Sequence, residues 1–279
     1  MKQEIFSSAN PALPCASRVI KKGLGSCSPL TTPAELEQLN LGWYYNWRPF
    51  PKIPPVEGVE FVPMFWSGLD VNPQHLTTVQ QSGATHVLGF NEPDMNGQSD
   101  MRPEECLRLW PKLMELPQRL GTPAPANWKW LGKFIPEARR RGLRLDFICL
   151  HRYPDISDPH CVDEMLDMIE TVHQKYELPI WLTEFGAADV SAWHQPQHSK
   201  PTAAMAQNFL QKLVPILERL PYVERYAWFT DRVAEEYGLG SIFDLNASRL
   251  TPFGQIYVEA AVPAAYTHLS TQEIHGLQI

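Results

Sequence analysis

Short apolar runs alternate with amphipathic stretches along most of this chain of 279 residues. The apolar runs are rich in the aromatic and β-branched residues that strands prefer, and helix-start signals lie between them. Strands that alternate with helices predict a parallel sheet with helical crossovers. Eight such units in one series favour a single-domain α/β fold of the (β/α)8 TIM barrel type over an open sheet. The predicted strands are residues 19–26, 41–47, 60–66, 85–91, 119–126, 145–153, 179–185 and 223–230.

The limits of the barrel follow from the first and last of these units. We expect the (β/α)8 domain to occupy residues 19–262, with an N-terminal arm at residues 1–18 and a C-terminal tail at residues 263–279. No GxGxxG motif follows the first strand, which argues against a dinucleotide-binding sheet. Within the predicted helices, Pro111 should bend or split the segment in which it lies, because proline cannot donate a backbone hydrogen bond.

The charge balance restricts the partners that this chain can have. Its formal net charge is -7 at pH 7, which argues against nucleic acid or an anionic membrane. The basic run Arg139–Arg141 precedes Gly142 and is typical of a helix C-terminus. The N-terminal segment lacks the apolar core of a secretory signal, and no stretch approaches the roughly 18 apolar residues of a membrane span. We therefore expect a soluble monomer without a signal peptide, and its native compartment stays open.

The cysteine and histidine patterns do not indicate a metal centre. The five cysteines have no regular spacing and form no CxxC pair. The nine histidines form neither an HxH nor an HExxH motif, so a metal-dependent barrel hydrolase is disfavoured. We expect neither a metal ion nor an organic cofactor. Whether Cys15 and Cys27 form a disulfide stays open at this point.

Two glutamates lie where predicted strands end. The active site of a (β/α)8 barrel lies at the C-terminal ends of its strands. Glu92 follows the fourth strand, and Glu184 lies at the end of the seventh. Two carboxylates that face each other across a barrel mouth repel, so such a pair indicates a function. The chemistry that needs them is glycoside cleavage, in which one protonates the leaving oxygen and the other attacks the anomeric carbon or activates water.

Tryptophans accompany the two glutamates. Indole rings stack on the apolar faces of sugars, while their N–H groups bond hydroxyls. The chain contains nine tryptophans, which is many for one acidic domain. Candidate sugar platforms at predicted strand ends or in a loop are Trp47, Trp66, Trp228 and Trp193, whereas the tryptophans expected in the core are Trp43, Trp110 and Trp181.

Seven motifs occur in an order and at a spacing that resemble glycoside hydrolase family 128, a group of β-1,3-glucanases with an Asl1-like catalytic domain. The resemblance covers residues 18–262, nearly the whole chain. Each motif is weak alone, but the set is specific. The motifs are KKGLG (21–25), WYYNW (43–47), FVPMFW (61–66), LGFNEPD (88–94), CLHRYP (149–154), WLTEFG (181–186) and RYAWF (225–229).

The resemblance implies roles for individual residues. Glu92 would be the general acid/base and Glu184 the nucleophile of a retaining mechanism. The residues implied in substrate binding share positions at strand ends: Asn91 would bond the sugar 2-hydroxyl, His151 would line the cleft, Tyr153 would orient the nucleophile, and Trp228 would form the floor of the subsite where the bond breaks.

The sequence therefore predicts a retaining endo-β-1,3-glucanase that acts on β-1,3-glucan by double displacement. Endo cleavage is favoured because most barrel loops are short, although the stretches 187–201 and 231–249 are long enough to build walls. An exo-acting β-1,3-glucanase and a non-catalytic barrel that binds β-glucan are the alternatives.

Overall fold

The computed structural model describes residues 20–187, 202–232 and 240–260. Trp193, Cys15, the predicted N-terminal arm, the C-terminal tail and most of the stretch 187–201 lie outside these residues. Eight strands and seven α-helices alternate along the described chain, except that β3 follows β2 without a helix between them. The strands are β1 (Lys22–Gly25), β2 (Trp43–Tyr45), β3 (Glu60–Phe61), β4 (His86–Val87), β5 (Arg119–Leu120), β6 (Ile148–Arg152), β7 (Ile180–Phe185) and β8 (Val223–Phe229).

The helices follow the order that the sequence predicts. They are α1 (Pro33–Gln38), α2 (Pro73–Gln81), α3 (Pro103–Leu113), α4 (Leu131–Arg140), α5 (Cys161–Tyr176), α6 (Ala203–Arg219) and α7 (Pro252–Glu259), with short 3-10 helices at Gly68–Asp70 and Trp128–Trp130. Pro111 does not split α3, because it lies within the last turn of that helix. Arg139 and Arg140 lie in the last turn of α4, and Gly142 follows with a positive φ of 67°, as predicted for this helix end.

All pairings between the eight strands are parallel, which confirms the predicted α/β class. Six strands form one sheet in the order β3-β2-β1-β8-β7-β6, and β4 pairs with β5 in a second sheet. Two further parallel bridges lie between the sheets, one joining Met64 to Leu88 and the other joining Gly121 to Phe147.

Each observed strand lies inside the corresponding predicted run, but β3, β4 and β5 are only two residues long. Prolines account for part of this difference. Pro63 follows β3 and Pro123 follows β5, and proline has no N–H with which to continue a ladder. The chain nevertheless stays parallel beyond the short strands, because Asn91 forms an isolated bridge with Ala124.

The core has two layers because side chains alternate along each strand. One face of the strands packs against the helices and forms the larger apolar cluster. The other face forms a smaller cluster, called here the inner cluster, which contains Trp43, Tyr45, Val62, Met64, Leu88, Ala124, Phe147, Cys149, Trp181 and Ala227. Trp43, Trp110 and Trp181 are fully buried, as the sequence predicts.

None of the helices in the described segments combines the length and the apolar character that crossing a bilayer requires.

Candidate active site

Glu184 lies near the end of β7, where three hydrogen-bond donors surround its carboxylate. Its Oε1 atom accepts hydrogen bonds from the Tyr45 hydroxyl at 3.1 Å and from the Trp47 indole N–H at 2.9 Å. Its Oε2 atom accepts a third from the Tyr153 hydroxyl at 2.6 Å. The residue is only 5% exposed, so these bonds fix the orientation of the carboxylate without competition from bulk water.

The two tyrosines remain hydrogen-bond donors across the physiological pH range. Burial, followed by the negative charge of Glu184, raises the pKa of Tyr45 well above its ordinary value. The same two causes raise the pKa of Tyr153 well above its ordinary value. Neither phenol therefore loses the proton that it donates to Glu184.

Glu92 is held by its backbone as well as by its side chain. Its N–H donates to the Ala124 carbonyl oxygen at 2.8 Å, in the parallel pairing that continues β4 and β5. Its φ angle is 38°, in the left-handed region that residues other than glycine seldom adopt. Such a conformation is retained only where surrounding contacts enforce it, and it is common at functional sites. The Glu92 side chain is buried, like that of Glu184, and both lie at the C-terminal ends of their strands.

His151 lies between the two carboxylates. Its Nδ1 atom is 3.1 Å from Glu92 Oε1, and its Nε2 atom is 3.4 Å from Glu184 Oε1 without hydrogen-bond geometry. Burial alone would lower the pKa of His151, but the charge of Glu184 and the hydrogen bond with Glu92 outweigh it and raise that pKa above its ordinary value. His151 thus couples the two carboxylates electrostatically.

One carboxylate oxygen from each of Glu92 and Glu184 and one ring nitrogen of His151 lie within 4.8 Å of one another, as the ligands of a metal ion would. The hydrogen bonds describe a different arrangement. Both lone pairs of Glu184 Oε1 are directed at N–H or O–H donors, and the two His151 nitrogens face different carboxylates. Because its lone pairs already accept hydrogen bonds, Glu184 Oε1 is better suited to remain a free carboxylate oxygen than to bind a metal ion.

Three further residues predicted to bind substrate differ in their surroundings. Trp47 is partly buried and uses its indole N–H on Glu184, which is a positioning contact in addition to the predicted platform role. Trp66 is partly buried beside the inner cluster. Asn91 is 3% exposed and donates from Nδ2 to Gln98 Oε1 at 3.1 Å.

Trp228 is the prediction that the structure contradicts. Its side chain is fully buried on the helix side of β8, where it packs against Phe185 and Phe253. Its indole N–H donates to the Gly240 carbonyl oxygen at 2.8 Å. The ring therefore has no face available to a sugar, because strand alternation turns Trp228 away from the inner face that Ala227 shares with the site.

Phe229, the next residue of β8, contacts the residues of the site instead. Its ring lies 5.7 Å from the ring of Trp47 and 5.7 Å from the ring of Tyr153, in edge-to-face contact with both. Three residues at the site were not predicted from the sequence: Phe229, Tyr45 and Gln98. Alternation offered a signal for the first two, since Tyr45 shares a face with Trp47 and Phe229 shares one with Ala227. Gln98 lies in a loop and carried no such signal.

Comparisons with known proteins identify the family of the chain. The glycosyl hydrolase catalytic core family matches residues 27–257 of the chain. A subgroup I endo-β-1,3-glucanase of glycoside hydrolase family 128 from Amycolatopsis mediterranei, solved in complex with laminaritriose, is 31% identical; the match covers 86% of this chain and 100% of that one, with a TM-score of 0.76. A subgroup III curdlan-specific exo-β-1,3-glucanase from Blastomyces gilchristii, in complex with glucose, is 25% identical; the match covers 85% of this chain and 97% of that one, with a TM-score of 0.66.

A curated relative extends the comparison to a longer protein. Alkali-sensitive linkage protein 1 of Schizosaccharomyces pombe is 27% identical over 230 residues, which make up 78% of this chain and 40% of the relative. The chain thus spans about two fifths of the length of that protein. The family model matches most of the chain, and the chain is 31% identical to a solved member of glycoside hydrolase family 128, whose whole length the match covers. The chain therefore belongs to the glycosyl hydrolase catalytic core family and to glycoside hydrolase family 128.

Proposed function

We propose that this protein is a retaining endo-β-1,3-glucanase that cleaves β-1,3-glucan with Glu184 as nucleophile and Glu92 as general acid/base. The observation that carries the proposal is the environment of Glu184, a buried carboxylate that receives three hydrogen bonds and lies across His151 from a second buried carboxylate. A non-catalytic barrel that only binds β-glucan would not require two carboxylates in this arrangement.

The proposed architecture is a (β/α)8 barrel that occupies residues 19–262 as one catalytic domain. Two observations support closure of the ring. Leu88 donates its N–H to the Pro63 carbonyl oxygen at 2.9 Å, and Thr122 donates its N–H to the Phe147 carbonyl oxygen at 3.0 Å. These bonds link the strands that the two sheets leave at their edges. In a closed barrel, Glu92 and Glu184 would face each other across the C-terminal mouth.

In the first step, the Glu184 carboxylate attacks the anomeric carbon while Glu92 transfers its proton to the glycosidic oxygen. The bond from the anomeric carbon to that oxygen breaks, the shortened glucan leaves as an alcohol, and a glycosyl ester forms on Glu184. Tyr45, Trp47 and Tyr153 aim the carboxylate at the carbon. His151 holds Glu92 Oε1, so that Oε2 presents the proton.

In the second step, Glu92 acts as a base. Glu92 gave up its proton in the first step and is now a carboxylate, and Glu184 carries no charge while it is esterified. Glu92 accepts a proton from water, the oxygen of that water attacks the anomeric carbon, and the ester bond to Glu184 breaks. The anomeric configuration is inverted twice and therefore retained. Retention requires carboxyl groups about 5–5.5 Å apart. One carboxylate oxygen of Glu92 lies within 4.8 Å of one of Glu184, which supports a retaining mechanism.

The solved relatives support the substrate and the endo mode. The Amycolatopsis mediterranei enzyme is described as an endo-β-1,3-glucanase and binds laminari-oligosaccharides of three, five and six sugar units in its complexes. The subgroup II enzyme from Sorangium cellulosum, 27% identical with a TM-score of 0.72, is also described as endo-acting. The exo-acting subgroup III relative has a lower sequence identity and a lower TM-score than either of these two enzymes.

The test is the release of reducing sugar from linear β-1,3-glucan by the parent protein and by Glu184→Gln, with cellulose as the control substrate. We expect the parent to release oligosaccharides of several lengths and Glu184→Gln to release at least a thousandfold less, because the amide cannot attack. Proton NMR of the first products should show the β anomer. Glucose as the only product would indicate exo action, an α anomer would exclude retention, and glucan binding without turnover by the parent would indicate a non-catalytic barrel.

The proposed partner of this protein is β-1,3-glucan. The net charge of -7 disfavours nucleic acid and anionic membranes, and we propose that the protein acts as a monomer.

A further inference from the structure

Two glycines lie directly beside the rings whose donors reach Glu184. Gly186 immediately follows β7, and Gly25 is the last residue of β1. Both glycines are buried. A glycine in or beside a strand often marks a place where another part of the chain approaches the backbone closely. The contacts that a side chain would make at these two positions therefore show what each glycine makes room for.

At Gly186 a side chain would collide with the ring of Tyr153. A Cβ atom on Gly186 would lie 3.0 Å from Cε1 and 3.3 Å from Cδ1 of that ring, and 2.9 Å from the carbonyl oxygen of Phe229. Carbon atoms in ordinary contact are about 3.5–4.0 Å apart. The Phe229 oxygen belongs to β8, which has little freedom to move because it pairs with both β1 and β7. The Tyr153 ring would therefore be displaced, and Cε1 is bonded to the carbon that carries its hydroxyl.

At Gly25 a side chain would press on the indole of Trp47. A Cβ atom there would lie 3.0 Å from Cη2 and 3.3 Å from Cζ2 of Trp47. Cζ2 is next to the ring carbon that is bonded to the indole nitrogen, so pressure on this edge moves the N–H that donates to Glu184. The Trp47 backbone cannot easily adjust, because its φ angle of 55° already lies in the left-handed region.

We propose that two glycines, Gly186 and Gly25, are positioning residues that fix the direction of the Glu184 carboxylate. Gly186 acts through the Tyr153 hydroxyl, and Gly25 acts through the Trp47 indole. This inference rests on the proposed function, in which Glu184 is the nucleophile. Each glycine acts by having no side chain, which lets a ring lie against the main chain where its donor reaches the carboxylate, at 2.6 Å for the hydroxyl and 2.9 Å for the indole.

The direction of the carboxylate matters because attack requires one of its oxygens to be aligned with the anomeric carbon. A displacement of about 1 Å in such a site can cost about a hundredfold in rate. A methyl group on Gly186 or Gly25 must move a ring from 3.0 Å to ordinary contact distance, by about 0.5 Å or more. The donor moves with its ring, the hydrogen bond weakens, and Glu184 can rotate away from the aligned direction.

Gly186→Ala tests the inference through the group on which this glycine should act. We expect kcat on β-1,3-glucan to fall by about tenfold with little change in KM, because the loss lies in alignment for attack and not in binding of the glucan. In a protein that already carries Tyr153→Phe, the hydroxyl is absent. The same glycine substitution should then cost less than about twofold in kcat.

Gly132→Ala is the matched control. Gly132 lies in α4, where the only atom of the described chain outside that helix within 4 Å of its Cβ would be the Tyr176 hydroxyl oxygen, at an ordinary contact distance of 3.8 Å. Alanine has a higher helix propensity than glycine. This variant should therefore unfold at the same or a slightly higher temperature and keep the kcat and KM of the parent.

The leaving group of the substrate separates an effect on the nucleophile from an effect on the acid. A dinitrophenyl group leaves without protonation, so its release does not need the proton of Glu92. Attack by Glu184 is common to activated and unactivated substrates. We therefore expect Gly186→Ala to lose the same factor in kcat/KM, within about threefold, on dinitrophenyl and on methyl β-1,3-oligoglucosides.

Gly25→Ala provides an independent test at the second position. It should also lower kcat, and its effect should shrink when Trp47→Phe has already removed the indole N–H. Thermal unfolding shows which variants are folded. If Gly186→Ala does not fold, the comparison of Gly25→Ala with and without Trp47→Phe carries the test.

Four results would overturn the inference and leave the proposed function intact. Additive losses of Gly186→Ala and Tyr153→Phe would mean that the glycine does not act through the hydroxyl. A loss that disappears on the dinitrophenyl substrate would mean that it acts on Glu92. Failure of both glycine variants to fold would mean that the glycines serve the packing of the fold. Glycine variants as active as the parent would mean that the rings adjust without consequence.

A parent protein that cleaves no β-glycan would remove the proposed function and this inference together. The activity of the parent is therefore measured first, with Glu184→Gln as the inactive reference. Only an active parent allows the effects of the glycine variants to be compared, so a failure of the proposed function and a failure of the inference are distinguished.

Discussion

At the scale of single residues, the direction of hydrogen bonds decides what each glutamate can do. Glu184 receives its three bonds from groups that can only donate to it, since burial and the charge of Glu184 raise the pKa of both tyrosines well above the ordinary value. The indole N–H of Trp47 has no acceptor capacity at all. The site thus holds one carboxylate in place by donors, whereas Glu92 contacts His151 and is, in the proposed mechanism, the group that moves a proton.

Tyr153→Phe tests this assignment. The change removes the 2.6 Å hydrogen bond to Glu184 Oε2 and leaves the ring contact with Phe229 in place. We expect kcat on β-1,3-glucan to fall by about tenfold to a hundredfold, because a buried carboxylate loses one of its three donors, with little change in KM. Steady-state kinetics measures both values.

Tyr176→Phe is the matched control for that variant. The Tyr176 hydroxyl is buried and has no hydrogen-bond partner within the described chain. Removing it should leave activity unchanged and leave the free energy of unfolding equal or slightly higher, by up to about 1 kcal/mol. An equal loss of kcat in both variants would contradict a specific role for Tyr153.

At the scale of elements, charged side chains near the N-terminal ends of β3, β4 and β8 connect these three strands. Glu60, at the start of β3, accepts from the Arg225 guanidinium of β8 at 2.6 Å and lies 3.1 Å from the His86 ring of β4. Arg225 also stacks over Trp181, 4.4 Å from the ring centroid. This ion pair closes the end of the inner cluster opposite the candidate active site.

Glu60→Gln should show how much the ion pair contributes and how the contribution depends on pH. Burial alone would raise the pKa of Glu60, but the hydrogen bond from His86 and the charge of Arg225 outweigh it and hold that pKa well below its ordinary value. A carboxylate with a lowered pKa stabilises the folded state above its unfolded-state pKa, and this contribution is lost as the pH falls.

We therefore expect the parent to be more stable than Glu60→Gln by about 2–4 kcal/mol at pH 7, with a difference that shrinks steadily below about pH 4.5. Urea unfolding at pH 7, 5 and 3.5 measures it. Glu57→Gln changes an exposed glutamate close in sequence and should alter stability by less than about 0.5 kcal/mol at every pH. A difference for Glu60→Gln that is independent of pH would contradict the lowered pKa.

At the scale of the whole molecule, the two ends of the described chain are joined by buried polar contacts. Arg232, which follows β8, forms an ion pair at 2.6 Å with Glu35 of α1, and both side chains are almost fully buried. Lys22 of β1 donates to the Tyr257 and Val258 carbonyl oxygens at the C-terminal end of α7, each at 3.0 Å. These contacts hold the first strand and helix against the last strand and helix.

Arg232→Met should destabilise the protein by about 3–5 kcal/mol, because it leaves the Glu35 carboxylate buried without its partner. The double variant Arg232→Met/Glu35→Met should recover part of that loss, since it removes the uncompensated charge as well. Urea unfolding monitored by tryptophan fluorescence compares the two. A double variant that is less stable than the single variant by the full cost of a second independent substitution would show that Glu35 acts without Arg232.

Much of the fold could be predicted from sequence because it depends on local patterns. Apolar runs, capping residues and glycines are read within about ten residues, and all eight predicted strands contain an observed one. The short lengths of β3 and β5 are also encoded locally, by Pro63 and Pro123. The rule that active sites lie at the C-terminal ends of parallel strands likewise predicted that four residues would meet there: Glu92, Glu184, His151 and Tyr153.

The sequence by itself thus determined the order of the elements, the ends of the strands at which the candidate site lies and the two carboxylates proposed to react there. The tertiary structure decided which donors reach Glu184, that Trp228 packs against the helices while Phe229 faces the site, and that Gln98 meets Asn91. The physical reason is that periodic patterns record only whether a side chain is buried. The partner of a buried polar atom depends on where chain segments meet in space, and Tyr45 and Glu184, which share a hydrogen bond, are 139 residues apart.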